Sequence, residues 1–238
     1  MMDYSNEIHC LKQVYTSRYP AQPDDTNYPW HPRNPISIYY RQAQERGIVE
    51  LLKRVNLSLE TLNILDLGCG AGYHLSLLTH LGAEPTRLQG LDLILERLQT
   101  ARKRSPAAIL YCQGDGQHLP YPSAFFDLVC QFTMFSSIFN PGLRRAIAEE
   151  IARVLQPHGW LLWYDIRWSA SKNTRPIQSH EITQLFPNFE FVSQSELHSR
   201  WISKLAPRSY LLCTIVDHIP GMLKTHLLCL LRKSGGSR

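Results

Sequence analysis

From residue 35 onward, the apolar positions of the chain switch repeatedly between two spacings. Short apolar runs at 63–67, 88–93, 108–112, 126–132 and 160–166 read as buried strands, and the stretches between them carry the three- and four-residue spacing of helices. A helix is expected over 35–55, because Asn34 suits an N-cap and Pro35 the first helical position, and Ile38, Gln42, Glu45, Val49 and Leu52 then fall on related turns. Helices over 73–81 and 96–104 follow. A longer helix through 143–155 is marked by Leu143, Ile147, Ile151, Val154 and Leu155 and stops at Pro157-His158-Gly159. Beyond Arg167 the chain turns polar, then offers a helix near 180–186, a strand near 190–194, a helix near 208–219 and a last strand over 226–231. Strands separated by helices imply right-handed crossovers. The expected fold class is α/β, a doubly wound, mostly parallel sheet with helices on both faces.

The N-terminal stretch breaks this rhythm. Tyr4, Tyr15, Tyr19, Tyr28 and Trp30 are interspersed with Pro20, Pro23, Pro29 and Pro32, so residues 1–34 are expected to form an irregular, sticky strap, packed over the core or acting as an aromatic lid. Residues 35–238 then make up the main domain, with about 168–225 on its substrate side. A chain of 238 residues has room for one large domain, or a domain plus a lid.

Composition sets limits rather than chemistry. With 44% apolar and 19% charged residues, this is the composition of an ordinary globular protein. Lys and Arg outnumber Asp and Glu by 25 to 20, too mild an excess to suggest a nucleic-acid partner, and the run Arg102-Lys103-Arg104 reads as the solvated end of a helix. The six cysteines form no Cys-x-x-Cys pair and no Cys/His cluster at zinc spacing. Neither a disulfide scaffold nor a metal is expected, and the cytoplasm is the expected location. Residues 1–20 hold no apolar secretory segment, and the apolar stretch 210–231 is interrupted by Asp217, His218, Pro220, Gly221, Lys224 and His226. Two elements joined by a turn are expected there, not a membrane span.

The chemistry gathers after the first strand. Gly68, Gly70 and Gly72 follow Ile64-Leu65-Asp66-Leu67, and three glycines at alternate positions mean close approach of the main chain to something, or positive φ. Open α/β sheets bind ligands at the C-terminal ends of their strands, where helix N-termini present unpaired N–H groups. A dinucleotide fingerprint would need glycine where Tyr73 stands, and Asp66 puts negative charge where a pyrophosphate would not want it. A cationic ligand with a free amino group, such as a sulfonium amino acid nucleoside, suits that carboxylate. Asp92, at the end of the second strand, is placed to hydrogen-bond ribose hydroxyls. Asp115, between Gly114 and Gly116, can accept from an exocyclic amine or simply form a turn.

Together these motifs resemble class I S-adenosylmethionine-dependent methyltransferases of the type 11 domain group. Residues 64–72 resemble that family's first motif, Leu91-Asp92 its second, 114–121 its third and 126–131 its fourth, and the resemblance covers roughly residues 35–168. It implies S-adenosyl-L-methionine as cofactor and S-adenosyl-L-homocysteine as product. Gly68, Gly70 and Gly72 would lie against the methionine part, Asp66 near the amino group, Asp92 on the ribose, Leu93 against the adenine, and Asp115 with Gly116 at the adenine edge. By the same resemblance, the Gln131 backbone lines the sulfonium, and a seven-stranded sheet ends with an antiparallel insertion. Tyr40 or Arg46, on the helix before the glycine turn, is within reach of the cofactor carboxylate or else faces solvent.

Methyl transfer from a sulfonium is an in-line displacement that positioning and desolvation can carry, so a general base is optional. The ends of the fourth and fifth strands should present Phe132, Thr133, Phe135, Ser136 and Ser137, then Tyr164, Asp165, Arg167 and Trp168. Asp165 is the candidate base for an alcohol or phenol and Arg167 the candidate partner of an anionic acceptor, unless the two have structural roles such as a mutual surface pair. His118 and His198 are weaker candidates. The Asn- or Asp-Pro-Pro-aromatic motif that the resemblance associates with base and amide methylation is replaced by Gln131-Phe132-Thr133-Met134. The expected function is methylation of a small organic acceptor, a natural product or glycan precursor, at oxygen in preference to nitrogen. A nicotinamide-dependent oxidoreductase and a non-catalytic methyltransferase-like partner subunit are the alternatives.

Overall fold

A computed structural model describes residues 4–18, 31–197, 200–217, 219 and 224–235. Its strands are β1 Ile64–Leu67, β2 Leu88–Asp92, β3 Leu110–Gln113, β4 Phe126–Phe132, β5 Leu155–Ile166, β6 Phe189–Leu197 and β7 His226–Lys233. They form one seven-stranded sheet in the order β3-β2-β1-β4-β5-β7-β6. The first five pair in parallel, and β7 enters antiparallel between β5 and β6. This is the expected α/β architecture, a mostly parallel seven-stranded sheet with helices on both faces.

The helices are α1 Ser5–Arg18, α2 Pro35–Arg54, α3 Tyr73–His80, α4 Leu95–Arg104, α5 Pro141–Val154, α6 Ser179–Leu185, α7 Arg200–Ser203 and α8 Tyr210–Asp217. An Asn-Pro pair starts both long helices. Asn34 Oδ1 accepts from Ile36 N at 2.9 Å, and Asn140 Oδ1 accepts from Gly142 N at 2.8 Å and Leu143 N at 3.3 Å. Arg102-Lys103-Arg104 does close a helix, in the last turn of α4. Helices α2, α3 and α4 bury Ile48, Leu51, Leu75, Leu78 and Leu98 on one face of the sheet. On the other face, α5 and α6 bury Ile147, Ile151 and Ile182 against Phe126 and Trp163. Arg144 lies fully buried in that second layer. Its guanidinium donates to the carbonyls of Ile138 (2.8 Å) and Arg175 (2.9 Å) and to Glu181.

Two expectations need correction. Residues 1–34 are not irregular throughout, because 5–18 form α1, whose Ile8, Leu11 and Tyr15 recur at helical spacing and turn toward the domain. The aromatic strap residues Tyr19, Tyr28 and Trp30 lie outside the described residues. Pro157-His158-Gly159 does not form a separate loop, since β5 begins at Leu155 directly after α5 and absorbs these residues beside a register shift against β4, with His158 at φ +63. Helix α1 lies across the C-terminal end of the sheet. Glu7 accepts from Phe139 N (2.7 Å) and Asn140 N (2.9 Å), and the Tyr15 hydroxyl meets Ser137 Oγ.

Candidate active site

The turn between β1 and α3 is built to leave its main chain bare. Gly68 and Gly70 adopt left-handed φ values of +77 and +54. A Cβ on Gly70 would stand 2.5 Å from Arg97 Nη2, so the φ disfavours a side chain there and the Arg97 guanidinium would have to move aside for one. Gly68 N donates to Leu91 O at 2.7 Å, and Gly70 N to Asp92 Oδ2 at 2.7 Å, which ties the turn to the end of β2. The other Asp92 oxygen accepts from Ile94 N at 2.9 Å. Each oxygen keeps a further lone pair for a ligand hydroxyl. Gly72 serves a different purpose: its Cβ would meet Tyr111 Oη at 2.8 Å and Ala101 Cβ at 3.0 Å, so its bareness lets α3 start against α4.

Beneath this turn Asp66 is fully buried, and neither carboxylate oxygen has a hydrogen-bond partner among the described residues. Burial above all, and then repulsion from Asp92, push its carboxyl up to about 8. An orphaned acid under a bare turn fits a ligand that carries positive charge.

Above the turn two cavities adjoin, of about 140 Å³ and about 780 Å³. The smaller is lined by Gly68, Asp92, Leu93, Asp115 and Gly116 at the ends of β1 to β3. The larger is lined by Tyr40, Gln44, His74, Tyr164 and His226. Leu11, Tyr15, Arg97, Phe132, Thr133 and Ser137 belong to both, so the two are halves of one space roofed by α1.

The remaining sequence candidates divide. Asp115 lines the smaller half and also accepts from Gln117 N at 3.1 Å, closing a turn. Gln131 lines neither half; its side chain is buried and accepts from Met134 N at 3.2 Å, and Phe132 to Met134 occupy the wall instead. Arg46 is exposed on the far side of α2 and lines neither half, whereas Tyr40 and Gln44 face inward. Asp165 lines neither half either. Alternation along β5 sends Tyr164 and Ile166 to the cavity and buries Asp165, whose oxygens accept from Ile166 N (2.8 Å) and Ser136 N (3.2 Å). Burial raises its carboxyl to about 6, and its hydrogen bonds tie it to the turn after β4. Arg167 is likewise withdrawn, in a 2.5 Å pair with Glu196. Phe135 is core, Trp168 and His118 are exposed and line neither half, and His198 is outside the described residues.

Two lining groups, Arg97 and His74, went unread in the sequence. Arg97, on the first turn of α4, places its guanidinium 5.4 Å from the centre of the Tyr15 ring and faces both halves. His74 stacks on Phe132 with ring centres 3.5 Å apart, and burial lowers its imidazole to about 3, which keeps it neutral. Thr133 holds a left-handed φ of +57, a costly conformation for a β-branched residue and a mark of a constrained site.

Residues 65–163 match the family described as a methyltransferase domain. That match covers under half of the chain. The chain is 30% identical over 182 residues to a fatty-acid O-methyltransferase of Mycolicibacterium smegmatis, an alignment covering 71% of this chain and 64% of that protein. It is 29% identical over 191 residues to a phthiotriol/phenolphthiotriol dimycocerosates methyltransferase of Mycobacterium leprae, covering 79% and 63%. The chain therefore spans somewhat under two thirds of the length of the curated relatives it matches. Among solved structures, the [4+2]-cyclase SpnF superposes with a TM-score of 0.65 at 18% identity, over 95% of this chain and 96% of its own, a likeness of fold. Among the described residues, no helix is long and apolar enough to cross a membrane.

Proposed function

We propose that this chain moves a methyl group from S-adenosylmethionine to an oxygen atom of a lipid-like acceptor. The observation that carries the reading is the junction of a small recess, floored by the glycine turn and Asp92, with a larger cavity across Phe132 and Thr133. When bound, S-adenosylmethionine supplies an electrophilic methyl group on a sulfonium sulfur. Gly68 and Gly70 would admit its amino acid part close to the main chain. The spare lone pairs of Asp92 would take the ribose hydroxyls, Leu93 and Ile147 would enclose the base, and the second oxygen of Asp115 would meet its edge. The larger half is within the size range of organic ligand sites. Its walls include the apolar Leu11, Val14, Phe132, Phe139 and Ile166, and α1 covers part of it.

An apolar acceptor agrees with these walls and with the relatives, whose names specify lipids. Calorimetry on the purified chain should detect S-adenosylhomocysteine and not NADH. Asp92→Asn should weaken that binding about tenfold or more, since a charged acceptor of hydroxyl hydrogen bonds contributes about 1.5–3 kcal/mol. Label from tritiated cofactor should then enter the lipid fraction of a candidate extract. No uptake of S-adenosylhomocysteine, or equal uptake of NADH, would sink the proposal.

A further inference from the structure

Three residues far apart in sequence meet at the polar end of the larger cavity. Tyr164 Oη donates to Tyr40 Oη at 3.0 Å, Tyr40 Oη lies 2.8 Å from His226 Nε2, and His226 Nδ1 lies 2.9 Å from Thr225 Oγ1. The Tyr164 ring stacks on the imidazole with 5.1 Å between centres and planes 6° apart, and the Tyr40 ring meets it edge-on at 5.3 Å. These contacts fix the imidazole in position, and Tyr40, Tyr164 and His226 all line the cavity. Hydrogen positions follow from the network: if Nδ1–H donates to Thr225, Nε2 is bare and accepts from Tyr40. Both phenolic O–H bonds then point along the chain toward Nε2. A proton entering at a phenol has a base at the end of its path.

We propose that the Tyr164-Tyr40-His226 relay is the proton acceptor for a hydroxyl-bearing acceptor molecule, with Tyr40 the group that touches it. This rests on the methyl-transfer reading above and names its base. As the acceptor oxygen forms its new O–C bond, the bond between the methyl carbon and the donor sulfur breaks, its electron pair staying on sulfur, and the acceptor's O–H bond breaks with its proton passing to Tyr40 Oη. The proton of Tyr40 passes at the same time to His226 Nε2, leaving a neutral phenol and an imidazolium. The positive charge that leaves the donor thus reappears on His226, which then gives its proton to water. The titratable and charged groups sharing this cavity are Tyr164 on β5, Tyr40 on α2, His74 on α3, Arg97 on α4, and Glu7, Cys10 and Tyr15 on α1. Among the described residues of β6, the apolar Leu197 stands opposite His226. A carboxylate acceptor would not need the relay, because it arrives already deprotonated.

The test uses the purified full chain with tritiated S-adenosylmethionine, 1-hexadecanol and hexadecanoate as probes in mild detergent, and the variants Tyr40→Phe, His226→Asn and His226→Gln. Alcohol turnover should fall by about 100-fold or more in each variant, the range of a lost general base. The limb of the wild-type pH profile that rises with pH should vanish in both His226 variants. Calorimetric affinity for S-adenosylhomocysteine should stay within about threefold of wild type, which also shows that the variants fold. Nitrogen-detected NMR should find His226 neutral with Nδ1 protonated. Alcohol turnover that survives His226→Asn with its pH limb intact, wild-type turnover of hexadecanoate alone or of neither probe, or an Nε2-protonated His226 each overturns the relay. Failure to bind S-adenosylhomocysteine at all overturns the methyl-transfer reading itself, and the relay with it.

Discussion

Asp66→Asn offers a test that needs no acceptor. In the folded chain the Asp66 carboxyl is held at about 8, against 3.8 when free, by burial and by Asp92. The native state therefore keeps a proton that the unfolded state has released, and stability must fall as pH rises through that window. The full contribution is greatest below pH about 4, declines through the neutral range and levels off above about 8. Two free carboxylate oxygens in the core leave nothing to offset the ionised form. The slope is about 1.4 kcal/mol per pH unit, or about 2 kcal/mol between pH 6 and 8, where the titration nears completion. The Asn variant is neutral at every pH and lacks this slope, although its amide costs about 1–3 kcal/mol if unsatisfied. Urea denaturation of both proteins at pH 5, 6, 7 and 8 should show the variant equal or weaker at pH 5 and stronger at pH 8. Saturating S-adenosylhomocysteine, with its cationic amino group, should flatten the wild-type profile. A difference between the two proteins that stays constant from pH 6 to 8 would refute the reasoning.

Gly70→Ala puts a methyl group 2.5 Å from Arg97 at φ +54, and should cost about 1–2 kcal/mol of stability and at least tenfold in affinity for S-adenosylhomocysteine, read by denaturation and calorimetry. Arg144→Ala strips three acceptors of a buried guanidinium, and should lower unfolding free energy by about 3–5 kcal/mol; a loss below about 1 kcal/mol would contradict the burial seen here. Glu7→Ala removes both hydrogen bonds that fasten α1 to the start of α5, and should speed amide exchange across 5–18 while leaving β1 and β4 protected, which hydrogen-exchange mass spectrometry resolves.

The sheet was legible because its strands are short apolar blocks with punctuated ends, and β4 was placed over 126–132, where it stands. The meeting of Gly68, Asp92 and Asp115 around the smaller cavity was legible for a similar reason. Each lies at or within two residues of a strand's C-terminal end, so the fold class alone carries them to one edge. The burial of Asp165 away from the cavity was not legible because β5 is apolar on both faces. Trp163 packs in one layer and Tyr164 in the other, so hydrophobicity could not say which phase of the alternation meets the cavity. Helix α1 was obscured by the prolines that follow it, although its apolar spacing was present. The partnership of Tyr40 with His226 spans 186 residues and depends on the antiparallel entry of β7, which no local pattern encodes.

What the fold supplies and what it leaves open separate cleanly here. A cyclase shares this topology over nearly the whole chain, so a sheet with a glycine turn does not by itself choose a reaction. The choice lies in the groups that face both halves of the space. Arg97 touches the turn at Gly70 and the roof at Tyr15, and Thr133 is strained between the halves. Because Tyr15 also reaches Ser137, closure of α1, the shape of the turn after β4 and the position of Arg97 are coupled through direct contacts. A ligand that packs one half against α1 therefore organises the wall of the other, and donor and acceptor sites should tighten together rather than independently.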